Sequence, residues 1–285
     1  MSKRSLQQVI TPLATSDGGG VKLLRSLGQQ QTLRWDPFLM LDEFSSTHAE
    51  DYIAGFPDHP HRGFETVTYM LDGHMLHRDH LGHQGHLRSG SAQWMSAGRG
   101  IIHSEMPQQD SGRMRGFQLW INLPAKDKMQ PAAYLDIDPE QIPLIALSQG
   151  GQLKIIAGHV TVDQQQLAGP IQTQSTELLF LDVRLPPATQ LTLPLKQTDN
   201  ALVYPYEGPL VIASETESGL LETHQAGLLS AGDSLTLQAG SEASAFLLLA
   251  GKPLREPVVQ HGPFVMNSRE EIEQAIADYR NGRFV

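Results

Sequence analysis

His59-Pro60-His61 and His103-Ser104-Glu105 each set metal-ligating side chains two residues apart. Residues i and i+2 of a β-strand point to the same face, about 7 Å apart at roughly 3.3 Å of rise per residue. Two such pairs on neighbouring strands can therefore converge on one ion. The site would offer three imidazoles and one carboxylate, with positions left for water or substrate. That donor set suits iron(II), manganese, nickel, copper or zinc better than calcium or magnesium, which want oxygen throughout. Each pattern alone is common in a chain with twelve His, and the competing reading is solvated His in a turn and on a strand edge.

A second cluster is more conspicuous. His74, His77, His80, His83 and His86 recur every three residues. On a helix this period would form a stripe, but Gly73, Gly82 and Gly85 argue against a helix. The expectation is a β-hairpin and loop whose His fall on different sides, solvated or supporting other groups, and forming no further metal site.

The elements that must position these residues are short. Glycine (26) and proline (18) punctuate the whole chain. Between them lie apolar, β-branched runs at 65–71, 117–123, 153–158, 177–183 and 245–251, the rhythm of an all-β fold. One segment differs: Ile272, Ala275, Ile276 and Tyr279 follow the helical period behind the capping-box pattern Ser268-x-x-Glu271, so a C-terminal helix closed by Asn281-Gly282 is predicted. One strand series covers about 20–123 and another about 150–255, separated by a polar, proline-marked stretch at 124–143. The pattern predicts two similar β-domains in tandem, 1–133 with the metal site and 134–285 ending in the helix.

Composition bounds the partners. With 21 basic and 31 acidic residues the formal charge is −10, which argues against direct nucleic-acid binding. There is no Cys, so thiolate metal sites, iron–sulfur clusters and Cys nucleophiles are excluded, and any metal is held by nitrogen and oxygen. The N-terminus lacks an apolar signal core, and the run Ala245 to Ala250 falls far short of a membrane span. A cytoplasmic, monomeric protein is expected.

The stretches 55–69 (Gly-Phe-Pro-Asp-His-Pro-His-Arg-Gly-Phe-Glu-Thr-Val-Thr-Tyr) and 93–107 (Gln-Trp-Met-Ser-Ala-Gly-Arg-Gly-Ile-Ile-His-Ser-Glu-Met-Pro) resemble the pirin family of the cupin superfamily. The likeness continues through 36–44 and 262–267. It implies a bicupin, two antiparallel β-barrel, jelly-roll-like domains, with non-haem iron(II) in the N-terminal barrel, held at His59, His61, His103 and Glu105. Glu65 stands where many cupins place a carboxylate ligand, whereas in pirins Glu105 takes that role. Gly98 replaces the usual Pro of the second cupin motif, as is typical of pirins. His159, His224 and His261 stand apart from any His-x-His, so the second barrel is expected to be metal-free.

The resemblance further implies a dioxygenase of the quercetin 2,3-dioxygenase type, which opens a flavonol with O₂ and releases carbon monoxide, with Glu105 also accepting the substrate proton. Arg62, beside the second His, is read either as favouring an anionic substrate at the mouth or as a surface ion-pair partner. Two alternatives accompany this reading. One is a metal-dependent regulatory protein that binds a protein partner, as eukaryotic pirins act as transcriptional co-regulators and some bacterial relatives restrain metabolic enzymes. The other is a cupin acting on a different small enol or phenol. An apolar slot above Glu105 would favour an enzyme.

Overall fold

A computed structural model describes residues 2–214 and 218–285. It is nearly all antiparallel β, with each predicted apolar run falling mostly within a strand: Phe64–Asp72, Met114–Asn122, Gln152–Ala157, Leu179–Leu185 and Ser244–Gly251. The chain divides into two compact units, one of residues 13–34, 38–139 and 254–285, the other of residues 1–12, 35–37 and 140–253. Among the described residues no helix is long and apolar enough to cross a membrane.

Each unit is built from a seven-stranded and a four-stranded sheet. In the unit containing His59 the larger sheet runs in the order Ala133–Ile137, Ala92–Ser96, Phe64–Asp72, Met114–Asn122, Phe38–Ser46, Val21–Arg25, Leu13–Asp17. The smaller runs Phe56–His61, Ile101–Pro107, His74–Asp79, Gln84–Arg88. The stretch 124–143, read from sequence as a connection, contributes the edge strand Ala133–Ile137, paired with Ala92–Ser96. Its prolines sit in the short turns around it.

Strand alternation decides what each interior contains. In the other unit the inward face is apolar throughout, with Leu181, Val183, Leu193, Leu235, Phe246 and Leu248 buried in one cluster. In the His59 unit the same kind of face carries Met40, Phe44, Trp120 and Met75, but also Asp42, Thr68 and Gln118. These three are directly opposite one another, Asp42 facing Gln118 and Gln118 facing Thr68. A polar row thus crosses an otherwise apolar interior.

The predicted helix spans Arg269–Arg280. Ser268 Oγ accepts from the Glu271 amide (3.3 Å), and Glu271 Oε2 accepts from the Ser268 amide (3.0 Å), completing the capping box. Ile272 and Ala275 are buried against Phe264, Met266 and Phe284, while Tyr279 is largely exposed.

Candidate metal centre

The strand Phe56–His61 pairs with Ile101–Pro107 so that His59 stands opposite His103 and His61 opposite Ile101. His103 therefore meets the His59 and His61 pair, and the three each bring a ring nitrogen to within 4.8 Å of the others. Their ring centroids are 4.4 to 4.9 Å apart. His61 and His103 are buried, and His59 is half-buried. Burial, with neighbouring imidazoles adding to it, pushes both His61 and His103 well below the usual imidazole range. They are neutral at pH 7, the form that can ligate.

The hydrogen bonds fix which nitrogens are free. His59 Nδ1 lies 2.8 Å from the Pro57 carbonyl; a carbonyl only accepts, so Nδ1 carries the proton and Nε2 its lone pair. His103 Nδ1 lies 2.8 Å from His77 Nε2. That leaves His103 Nε2 and also His61 Nδ1 buried with no hydrogen-bond partner. Orphaned buried nitrogens on converging rings are costly unless something else satisfies them. A divalent transition metal fits this donor set.

Glu105 does not belong to that three-nitrogen cluster. A register shift after His103 sets it opposite Phe56, and its carboxylate lines the same cavity as His59 and His61. Thr68 Oγ1 donates to Gln118 Oε1 at 2.5 Å and lies 3.5 Å from Glu105 Oε1. The cavity has a volume of about 610 Å³, within the roughly 300–1,000 Å³ range of small-molecule pockets. Leu23, Phe44, Phe56, Met75 and Trp120 form much of its wall. Farther along the polar row, Arg25 donates to both Asp42 oxygens (2.9 and 2.7 Å) and to Asp17 (2.7 Å). Burial pushes Asp42 up to about 6 although Arg25 opposes it.

Other residues singled out from the sequence lie elsewhere. Arg62 is neither at the cavity mouth nor on the surface: it is buried, pairs with Asp278 of the C-terminal helix at 2.8 Å, and lies over the Phe284 ring at 4.4 Å. It also donates to the Arg99 carbonyl. Glu65 is buried in the strand Phe64–Asp72, opposite Ser96 and Ile121, and burial pushes it up to about 7. Gly98 has φ +47°, and a Cβ there would fall 2.2 Å from the Gln130 carbonyl, so neither Pro nor any other side chain fits.

The His-rich tract is a hairpin of His74–Asp79 and Gln84–Arg88. His74 and His86 bond to each other on the exposed side at 2.8 Å, and His83 bonds to Asp79. His77 alone turns inward, to His103. Its parity with the buried Met75 was the available signal, masked by the period of three. Thr68, Gln118 and Asp42 had no signal, since each stands alone on its own strand.

Two units that repeat a seven-stranded and a four-stranded antiparallel sheet, one with three His converging inside it, define a bicupin. The chain belongs to the pirin family: residues 20–121 match Pirin and residues 180–285 match the Pirin C-terminal cupin domain. It is 50% identical over 280 residues to a Pseudomonas aeruginosa protein provisionally named quercetin 2,3-dioxygenase, covering 98% of this chain and 97% of that one. It is 40% identical over 270 residues to human pirin, covering 94% and 89%. The crystal structure titled quercetin 2,3-dioxygenase from Acinetobacter baumannii matches with a TM-score of 0.88 at 32% identity, covering 99% of each chain.

Proposed function

We propose that this protein is an iron(II)-dependent dioxygenase that opens a flavonol, such as quercetin, with O₂. His59, His61 and His103 would hold the metal through neutral imidazoles, and Glu105 would serve as fourth ligand and as proton acceptor. The observation that carries the reading is the cavity of about 610 Å³ that reaches His59, His61 and Glu105 between apolar walls. A metal sensor has no need of such a volume, whereas a flat aromatic substrate does.

When bound, the metal supplies open positions for the substrate oxygen and for O₂. The other tasks fall to the chain's own groups. Trp120, Phe44 and Met75 offer apolar faces to an aromatic ring and exclude water from it. The Glu105 carboxylate takes the proton of the substrate hydroxyl. The relatives' quercetin dioxygenase names support the substrate class.

The test is anaerobic reconstitution with iron(II), followed by quercetin and O₂, reading O₂ uptake and carbon monoxide. Stoichiometric release of carbon monoxide is expected. Tight iron binding with neither O₂ uptake nor carbon monoxide would replace the dioxygenase with a metal-dependent binding protein.

A further inference from the structure

We infer that the Gln118 side-chain amide reads a carbonyl oxygen of the ligand beside Glu105, so that the site selects an enol hydroxyl with a carbonyl on the adjacent carbon over a simple phenol. Three observations carry this.

Thr68 Oγ1 has one proton and two acceptors in range, Gln118 Oε1 at 2.5 Å and Glu105 Oε1 at 3.5 Å. The shorter contact takes the proton, because 3.5 Å is at the limit of a hydrogen bond. With its carbonyl held by Thr68, the Gln118 amide must turn its NH₂ away from Thr68. Gln118 lines the cavity, and no described residue accepts from Nε2. The register explains the position: Gln118 sits in the polar row between Thr68 and Asp42, on the strand Met114–Asn122. Gln118 is half-buried, so its NH₂ is open to the cavity, on a wall shared with Met40, Phe44 and Trp120, where a ligand oxygen can accept from it.

The acceptor Glu105 and the donor Gln118 are therefore separated by one hydroxyl. A ligand that gives a proton to the first and takes one from the second carries O–H and C=O on neighbouring atoms, as a 3-hydroxy-4-oxo ring does. A simple phenol satisfies only Glu105. The inference rests on the flavonol reading for the ligand's shape, but it concerns recognition and does not need turnover.

Equilibrium dialysis of the full-length, iron-loaded protein under strict exclusion of O₂ separates the two questions. The probes are 3-hydroxyflavone, which has the adjacent carbonyl, and 2-naphthol, which lacks it. Gln118→Met keeps the length and removes the amide. It should weaken 3-hydroxyflavone about 10-fold and change 2-naphthol by less than about twofold. Thr68→Val should show the same selective loss and Thr68→Ser should restore it, with iron content unchanged throughout. Should Gln118→Met fail to fold, Gln118→Glu serves: it keeps the shape, replaces the donor with a carboxylate and should lose 3-hydroxyflavone selectively. Equal loss of both probes, loss of neither, or no binding of 3-hydroxyflavone by the parent protein would overturn the inference. Selective loss in a protein that consumes no O₂ would uphold it while removing the dioxygenase reading.

Discussion

His77 Nε2 lies 2.8 Å from His103 Nδ1, with both rings buried. An imidazole pair shares one proton. For His103 to offer its Nε2 lone pair to a metal, its Nδ1 must carry the proton and donate to His77. His77 therefore sets the tautomer of His103, and it does so from the centre of the small sheet, opposite Glu105. His77→Phe removes the acceptor while keeping a ring in place. Iron(II) affinity measured by chelator competition should fall about 10- to 100-fold. An unchanged affinity would show that His103 needs no such partner.

The three-imidazole cluster makes a plainer demand. His59→Ala and His103→Ala should each lose stoichiometric metal, while circular dichroism keeps the β signature, because the apolar core of the barrel does not include these rings. Metal retained at one equivalent by both variants would reject the assignment.

The hairpin pair His74 and His86 is exposed, and its nitrogens face each other instead of a shared third ligand. Replacing His74, His80 and His86 together by Gln should leave the tightly bound metal at its parent level by elemental analysis. A loss of one equivalent would mean that the hairpin holds it.

Glu105 tests chemistry separately from metal retention. Three-ligand sites hold divalent ions with water in the remaining position, and Glu105→Gln keeps the shape and an oxygen donor while losing basicity. The variant should keep most of its iron and lose about 10²-fold or more in flavonol oxygenation rate. Oxygenation near the parent rate by the iron-loaded variant would mean that another group takes the proton.

How much of this was legible in the sequence follows from the distances at which the signals act. The two-residue period put His59 and His61 on one face, because strand alternation is local, and His103 meets them there, whereas Glu105 lies outside the three-nitrogen cluster. The capping box at Ser268 and Glu271 was equally local. Arg62 is the ion-pair partner that one of its two readings expected, but buried and not at the surface, because its partner Asp278 lies 216 residues away in the chain, and no periodicity reports such a distance. The row Asp42, Gln118 and Thr68 exists only through the pairing of three strands. The edge strand Ala133–Ile137 was hidden by the prolines around it, which read as a connection, yet its tertiary pairing with Ala92–Ser96 outweighs that composition.

Lys128 provides the pH test. Its ammonium is buried, with Nζ donating to the Gly63 carbonyl (2.6 Å), Asn122 Oδ1 (2.6 Å) and the Val265 carbonyl (2.9 Å). It thereby ties the turn after His61 to the C-terminal segment, with three donors matched to three acceptors. Lys128→Met strands those oxygens and should cost about 3 kcal/mol in urea denaturation. Burial also pushes Lys128 down to about 7 from its ordinary 10.5. Below about pH 7 both the folded and the unfolded chain hold the proton, so this group gives stability no pH slope. Between about 7 and 10.5 the folded chain has lost it and the unfolded chain keeps it. The unfolded state then binds more protons, and stability must rise with pH. The advantage of the parent over Lys128→Met should therefore widen from pH 7 toward pH 9.5, by up to about 1.4 kcal/mol per pH unit. A gap that stays constant across that range would show that the three oxygens hold Lys128 protonated throughout, and a gap that narrows would mean that the sign of its coupling to folding is reversed.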